Sequence, residues 1–452
     1  MRYLPHTQED IRRMLEQIGT QDLEELFASI PAESRIRGPL ALPEALDEAS
    51  LRRHLAGLAA RNRTLSEGAS FLGCGAYDHV VPAAVDAVIS RGEFFTAYTP
   101  YQPEVSQGTL QALFEFQTMV AELFGLDVAN ASMYDAASAT AEAVLMARRI
   151  HRGRRRKVVL SRGLHPEYLE TCRTYLSGVE GLEVVEVGLD ETGRTDGQAL
   201  SDALDGETIC LVAQSPNFLG VCEDWASLSD AAHRDKALMV GVVGELTSLG
   251  LLEAPGRLGC DMVVGDGLGL AGSLSAGGPG VGLMACRDTY KRNLPGRLVG
   301  RTVDREGREG YVLTLAAREQ HIRREKATSN ICTNHSLVAL ALTVHLSLLG
   351  RRGLAELARQ NYSRARYVRK ALEAKGLVAH AASPHYNEFA VRLPKAAAAA
   401  RHIQEKWGLR PGVALGRFDA GYEDLLLVCV TERHSKKDLD RLVSALTWAA
   451  GA

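Results

Sequence analysis

CDMVVGDGLGLAGSLSAGGPGVGLMAC, residues 260–286, decides between two kinds of α/β protein. After the apolar run Cys260 to Val264 comes Gly267-Leu268-Gly269-Leu270-Ala271-Gly272, which has the spacing of a dinucleotide-binding fingerprint. That fingerprint works only where its third glycine opens a helix whose N-terminal amides face a pyrophosphate. No helix can follow Gly272, because Gly277, Gly278, Pro279, Gly280 and Gly282 break the next turns. Val281 to Cys286 reads instead as another strand. The stretch is therefore strand, glycine-rich loop, strand, and a nicotinamide-dependent dehydrogenase is set aside.

Outward from this loop the chain alternates. Strand-like runs stand at VVL (158–160), LEVVEV (182–187), TICLVA (208–213), ALMVGVV (237–243), DMVV (261–264) and VGLMAC (281–286), mostly separated by helical patterns. That rhythm predicts a largely parallel sheet with right-handed crossovers. Upstream, a helix runs from 109 to a cap at Gly125, and a second starts near Asp135. Residues 1–65 read as helical throughout, an N-terminal arm with Thr7 as its first cap. Beyond 290, helices at 336–350 and 353–375 precede EFAVRL (388–393), a helix at 397–407, LLLVCV (425–430) and a last helix from Lys437. The expected domains are the arm (1–65), a large α/β domain (66–325) and a small α+β domain (326–452).

Bulk properties exclude several function classes. With 52 basic against 55 acidic residues, no net charge points to nucleic acid or a membrane surface. The basic run Arg152 to Lys157 lies between a helix and a strand and reads as a solvated turn. Eight cysteines without a CxxC pair read as reduced thiols of a cytoplasmic protein. No stretch looks long and apolar enough to cross a bilayer.

A strand–loop–strand at this place in an α/β sheet also matches the site where pyridoxal-phosphate (PLP) enzymes carry their Schiff-base lysine. Such an enzyme needs a helix N-terminus for the phosphate, a flat group on the ring, an acid at the pyridine nitrogen and the lysine itself. The turn Asp135-Ala136-Ala137-Ser138 opens a helix, with Ser138 as the candidate phosphate-side residue, although alanines there favour close packing. His165, just past the 158–160 strand, stands where a stacking imidazole is expected. At the end of ALMVGVV, where an aspartate should stand, the chain reads Gly244-Glu245. The 265–282 loop has no lysine; the nearest are Lys236 and Lys291. Electron sink and covalent anchor are missing together, which predicts a catalytically silent copy and argues against a free-standing aminotransferase or cysteine desulfurase.

One further stretch carries chemistry. TAYTPYQPEVSQG, residues 96–108, cannot be helical, concentrates two tyrosines with polar side chains, and leads into a helix marked by Ser106. Aromatic rings that exclude water, with hydroxyls and a carboxylate that orient a polar substrate, suit a loop reaching into a pocket. FLGCGAYDHVVP (71–82) is a second loop of this kind.

Six motifs in order, FLGCGAYDHVVP, TAYTPYQPEVSQG, GLDVANASMYDAASATAEA, QSPNFLG, GGPGVG and REKATSNICTNHSL, resemble glycine decarboxylase, the P-protein of the glycine cleavage system, over essentially the whole chain. The sequence is similar to the lysine-free first subunit of the split bacterial form. The resemblance implies the fold of PLP-dependent transferases (aminotransferase fold type I). It also implies a homologous second subunit that carries PLP in place of this chain, glycine as substrate, lipoylated H-protein as acceptor, and a heterodimer or heterotetramer. Tyr98, Tyr101 and Glu104 match the loop at the shared cleft as catalytic contributors; Gln102, Gln107, Asn130 and Ser132 match substrate-side positions, and Asp135 a neighbouring motif. His165 and Ser138 are left as a vestigial pocket. The alternative is a scaffold or regulatory pseudoenzyme with no side chain in the site.

Overall fold

The computed structural model describes residues 5–36, 38–65 and 67–451. The chain parts into two units, Met1–Thr64 and Leu65–Ala452. In the first, a helix Gln8–Ile18 starts with a reciprocal capping box: Asp10 N–H donates to Thr7 Oγ1 at 3.2 Å and Thr7 N–H to Asp10 Oδ2 at 2.8 Å. Gly19 closes it at φ 86°, and a second helix runs Glu48–Ala59. The expectation of helix throughout fails over 38–47, where Pro39 and Pro43 remove amides that a helix would need. Neither helix buries a residue.

The second unit is built on a seven-stranded sheet. Its strands are β1 (Val128–Ala129), β2 (Lys157–Ser161), β3 (Glu183–Val187), β4 (Thr208–Gln214), β5 (Leu238–Val243), β6 (Met262–Asp266) and β7 (Gly282–Cys286). They lie in the order β1-β7-β6-β5-β4-β2-β3, and only β7 runs against the rest. All seven residues of β4 and all six of β5 are buried, as expected for strands covered on both faces. Alternate residues feed two cores. Val159, Leu211, Met239 and Val263 face one side, while Val158, Cys210, Val240 and Met262 face the other. Truncating a core side chain such as Leu211 to alanine costs about 2–5 kcal/mol by lost burial and cavity formation. This is the largely parallel α/β sheet that the alternation predicted, in the fold that the resemblance to PLP-dependent transferases implies.

A hairpin absent from the sequence reading, β8 (Leu298–Val303) with β9 (Glu309–Thr314), is held by side chains of the helix Gln107–Phe124. Gln117 pairs both ways with the Val299 backbone at 2.8 and 3.0 Å, and Gln107 both ways with Tyr311 at 2.9 Å. Two amides thus stand in for a neighbouring strand.

The helix Ser336–Glu373 is two helices joined at Gly350, whose φ of 56° no helix accommodates. Contrary to expectation it contains an 18-residue window of mean hydropathy 1.3, long and apolar enough to cross a membrane by composition; 44% of that window is buried inside the protein. Ala339, Leu342 and Leu346 pack on the large sheet, and Ala365, Val368 and Leu372 on the small one. That small sheet is β10 (Glu388–Arg392), β12 (Leu425–Cys429) and β11 (Val413–Ala414) in that order.

Candidate functional site

The carboxyl ends of β5 and β6 and the N-terminus of the helix Ala136–Ile150 converge, the usual place for a ligand in such a sheet. Here the chain fills the place itself. Asp266, the last residue of β6, accepts Ala136 N–H at 3.1 Å and Leu268 N–H at 2.7 Å. The first amide of the helix, which would otherwise meet an external anion, is answered by an internal carboxylate. Ser138 N–H is taken by Asp135 Oδ1 at 2.7 Å in a second capping box. Burial pushes the Asp266 carboxyl up to about 6, with Asp135 adding to the rise against its two backbone donors.

After β6 one short helical turn, Leu268–Ala271, is closed by Gly272 rather than opened by it, the reverse of a dinucleotide site. It presses on the 71–82 loop: a Cβ at Gly269 would stand 2.6 Å from the Tyr77 carbonyl. The free space among Gly75, Tyr77, Gly244, Asp266 and Leu268 is about 10 Å³, whereas small-ligand pockets run to about 300–1,000 Å³.

Glu245, where a pyridine-nitrogen acid would stand, is 3% exposed and turned into an ion-pair chain. His79 bridges it at 3.1 Å to Glu432 at 2.9 Å, and Thr247 and Asn387 also donate to it. Burial alone would lower His79, but the two carboxylates raise it to about 10. Burial likewise would raise Glu245, yet the His79 charge holds it below its ordinary value. Next to this chain burial raises Glu388 to about 7, where it accepts Cys74 N–H at 2.7 Å and Tyr77 O–H at 3.1 Å.

His165 is 5% exposed and caps the helix Pro166–Leu176, its Nδ1 accepting Glu167 N–H at 3.2 Å. Its Nε2 lies 3.2 Å from the Cys74 carbonyl, and its ring packs among Tyr168, Phe218 and Phe418. Burial lowers its affinity for a proton. The features a PLP site needs are thus largely taken up: the loop has no lysine, the first and third amides of the helix are answered by Asp266 and Asp135, and the space between the strand ends and the 71–82 loop is about 10 Å³.

The tyrosine loop is open by contrast. Tyr98 is 74% and Tyr101 50% exposed, and Gln102 and Glu104 are exposed as well. The Tyr101 hydroxyl accepts from Arg297 Nη2 at 3.0 Å. The Arg297 carbonyl accepts Ala131 N–H at 2.8 Å, so the structure joins this loop to the Asn130–Ser132 motif. Within that motif Asn130, 1% exposed, spends its amide on the Pro295 carbonyl and the Ser132 N–H. Ser132 is buried at φ 121° with an unpartnered hydroxyl. Gln107 has both donors on backbone, Pro103 at 2.7 Å and Tyr311 at 2.9 Å, which leaves none for a substrate. Ser106 marks the helix start without a side-chain cap bond. Sequence reasoning missed Asp266 and Arg297; the only local signal was a charged residue inside a glycine-flanked apolar run, GDG and GRLVG.

Residues 1–446 match the family model described as glycine cleavage system P-protein. A "Probable glycine dehydrogenase (decarboxylating) subunit 1" of Sorangium cellulosum is 50% identical over 453 residues, 99% of each chain. A crystal structure of glycine decarboxylase (P-protein) of the glycine cleavage system, in inhibitor-bound form, is 45% identical with a TM-score of 0.86, covering 99% of this chain and 100% of that one. Glutamate decarboxylase of Lactobacillus brevis, at 14% identity and a TM-score of 0.65 over 94% of this chain and 98% of that one, shares the fold.

Proposed function

The chain belongs to the glycine cleavage system P-protein family, and from that premise we propose that it is subunit 1 of a glycine dehydrogenase (decarboxylating), an oxidoreductase whose PLP is held by a homologous, lysine-bearing second subunit. The observation that carries this reading is the closed seat at the carboxyl ends of β5 and β6: Asp266 takes the first amide of the 136–150 helix, and about 10 Å³ remains between the strand ends and the 71–82 loop. With its own pocket sealed, the chain can act only through surfaces it offers to another subunit. The tyrosine loop is such a surface, with two half-open or open phenols and an exposed carboxylate leading into the helix Gln107–Phe124.

In this reading Tyr98 and Tyr101 cover the partner's reaction centre and keep water from the glycine-derived aminomethyl group until the lipoyl arm of H-protein takes it. The hydroxyls and Glu104 orient substrate, with Gln102 beside them. The assembly is a heterodimer or a pair of heterodimers working in the cytoplasm, for which eight free thiols are suited. The test is glycine–bicarbonate exchange with H-protein in the co-expressed complex. Tyr98→Phe, Tyr101→Phe and Glu104→Gln should each lower turnover, by on the order of a hundredfold where an oriented hydrogen bond is lost, with the complex intact by light scattering. Unchanged turnover in all three would make the chain a scaffold.

A further inference from the structure

Arg297 is 3% exposed, yet its best-directed bond goes outward to the half-exposed Tyr101. Its Nη2 donates to Tyr101 Oη at 3.0 Å and lies 3.6 Å from Cys332 Sγ; the guanidinium carbon is 5.2 Å from the Tyr101 ring centroid. Its charge is balanced by Glu319, 5% exposed, at 3.8 Å. That pair is too long for a hydrogen bond, and Arg297 Nε and Glu319 Oε2 both stay unpartnered. Burying a guanidinium is costly unless its donors are used. The one strong use it has is the phenol of Tyr101. His321, 3.6 Å from Glu319, meets the edge of the same ring at 5.8 Å, so the 319–321 segment, Cys332 and the tyrosine loop all meet at one arginine.

We propose that Arg297 is a positioning residue for the shared active site, acting through Tyr101; this rests on the reading that the tyrosine loop faces the partner's reaction centre. A phenol oxygen carries one proton and accepts through its lone pairs. With the guanidinium on the accepting side, the Tyr101 proton must point elsewhere, and among the described residues nothing in this chain receives it. A cation on the oxygen also makes that O–H the stronger donor. Arg297 thus fixes both where the phenol stands and which way it donates. The main-chain bond from Ala131 makes the arginine a rigid mount.

The experiment is a double-mutant cycle in the co-expressed complex, with exchange turnover and KM measured for Arg297→Met, Tyr101→Phe and both together. Labelled-tyrosine NMR of Tyr101 ring motion is the second readout. If Arg297 acts through Tyr101, each single change lowers kcat on the order of tenfold to a hundredfold, the double change is no worse than the larger single one, and the ring loses its fixed orientation in Arg297→Met. Arg297→Lys keeps the charge opposite Glu319 without the planar fork; it should assemble normally, fail to restore the ring, and decide the matter where Arg297→Met does not assemble. Losses that multiply, with an unmoved ring, would overturn the proposal. Full turnover in Tyr101→Phe would overturn the positioning role, since the hydroxyl Arg297 holds would then do nothing in the reaction; full turnover in Tyr98→Phe and Glu104→Gln as well would overturn the reading of the loop itself.

Discussion

Replacing Asp266 by asparagine tests whether the seat at the carboxyl end of β6 is held by a half-buried, titrating carboxyl. The wild-type group sits at about 6 because of burial first and the Asp135 charge next, against about 3.9 for an ordinary aspartate. At 1.36 kcal/mol per pH unit this gap of about 2 is worth about 3 kcal/mol between fully protonated and fully ionised states. Because the folded value is the higher one, the folded chain binds the proton more tightly than the unfolded chain between these limits. Its contribution to stability is complete below about 4 and is lost as pH rises through about 6. Asparagine does not titrate. Measured by urea unfolding, the variant should therefore gain on the wild type by about 2–3 kcal/mol between pH 4 and pH 8, about half of it between 5 and 8. His335 and Asp135 are the other charged groups acting on this carboxyl, so Asp135→Asn should narrow the wild-type span. A wild-type minus variant difference that stays flat with pH, or slopes the other way, refutes the account of Asp266 as a carboxyl whose proton affinity is raised by burial.

His79→Ala leaves Glu245 and Glu432 buried without the cation between them and should cost about 3–5 kcal/mol at pH 7 in urea unfolding. With His79 raised to about 10, the bridge's contribution is complete below about 6.5 and should fade as pH rises through 10, visible as a falling midpoint in alkali. Gln107→Ala and Gln117→Ala each remove two bonds to the 298–314 hairpin; each should cost about 1–3 kcal/mol and speed amide exchange at Tyr311 or Val299 respectively, and a loss of turnover from Gln107→Ala without faster exchange at Tyr311 would restore its substrate role. Borohydride reduction of the isolated chain with PLP should label no lysine stoichiometrically by peptide mapping, and one lysine modified in high yield defeats the reading.

What could be read from sequence follows from where the free energy is local. β4 and β5 are buried on both faces, so they appear as unbroken apolar runs flanked by polar turns, and all six strands expected in the large domain form within a residue or two of their predicted ends. Thr7, Gly125 and Asp135 are legible because a cap is a contact over two to four residues. The β8–β9 hairpin was not, since its strands carry Arg301 and Glu309 on open faces and two glutamines nearly two hundred residues away supply its edge. The non-helical stretch at 38–47 shows the opposite error: helix-like apolar spacing around it outweighed Pro39 and Pro43, which settle the backbone.

The missing lysine and the Gly244-Glu245 exchange are plain in the sequence; that they belong to one rearrangement is visible only in three dimensions. An aspartate at 245 is too short to reach both the 71–82 loop and the small domain. A glutamate reaches His79, which reaches Glu432, and Asn387 closes the other side of the carboxylate. The strand end that would face a pyridine ring is thereby turned into a strut between the large sheet and the C-terminal sheet. The same loop meets the glycine-rich turn backbone to backbone at Tyr77 and Gly269, and Asp266 closes the last opening from below. Each of these groups is satisfied by protein, and the ionised His79 cluster is balanced only while the pocket stays shut. Opening it for a ligand would unpair several buried charges at once, a cost no single contact with that ligand offsets. In the function proposed above, chemistry from this chain then falls to exposed side chains such as Tyr98, Tyr101 and Glu104, of which Tyr101 is bonded to the buried Arg297.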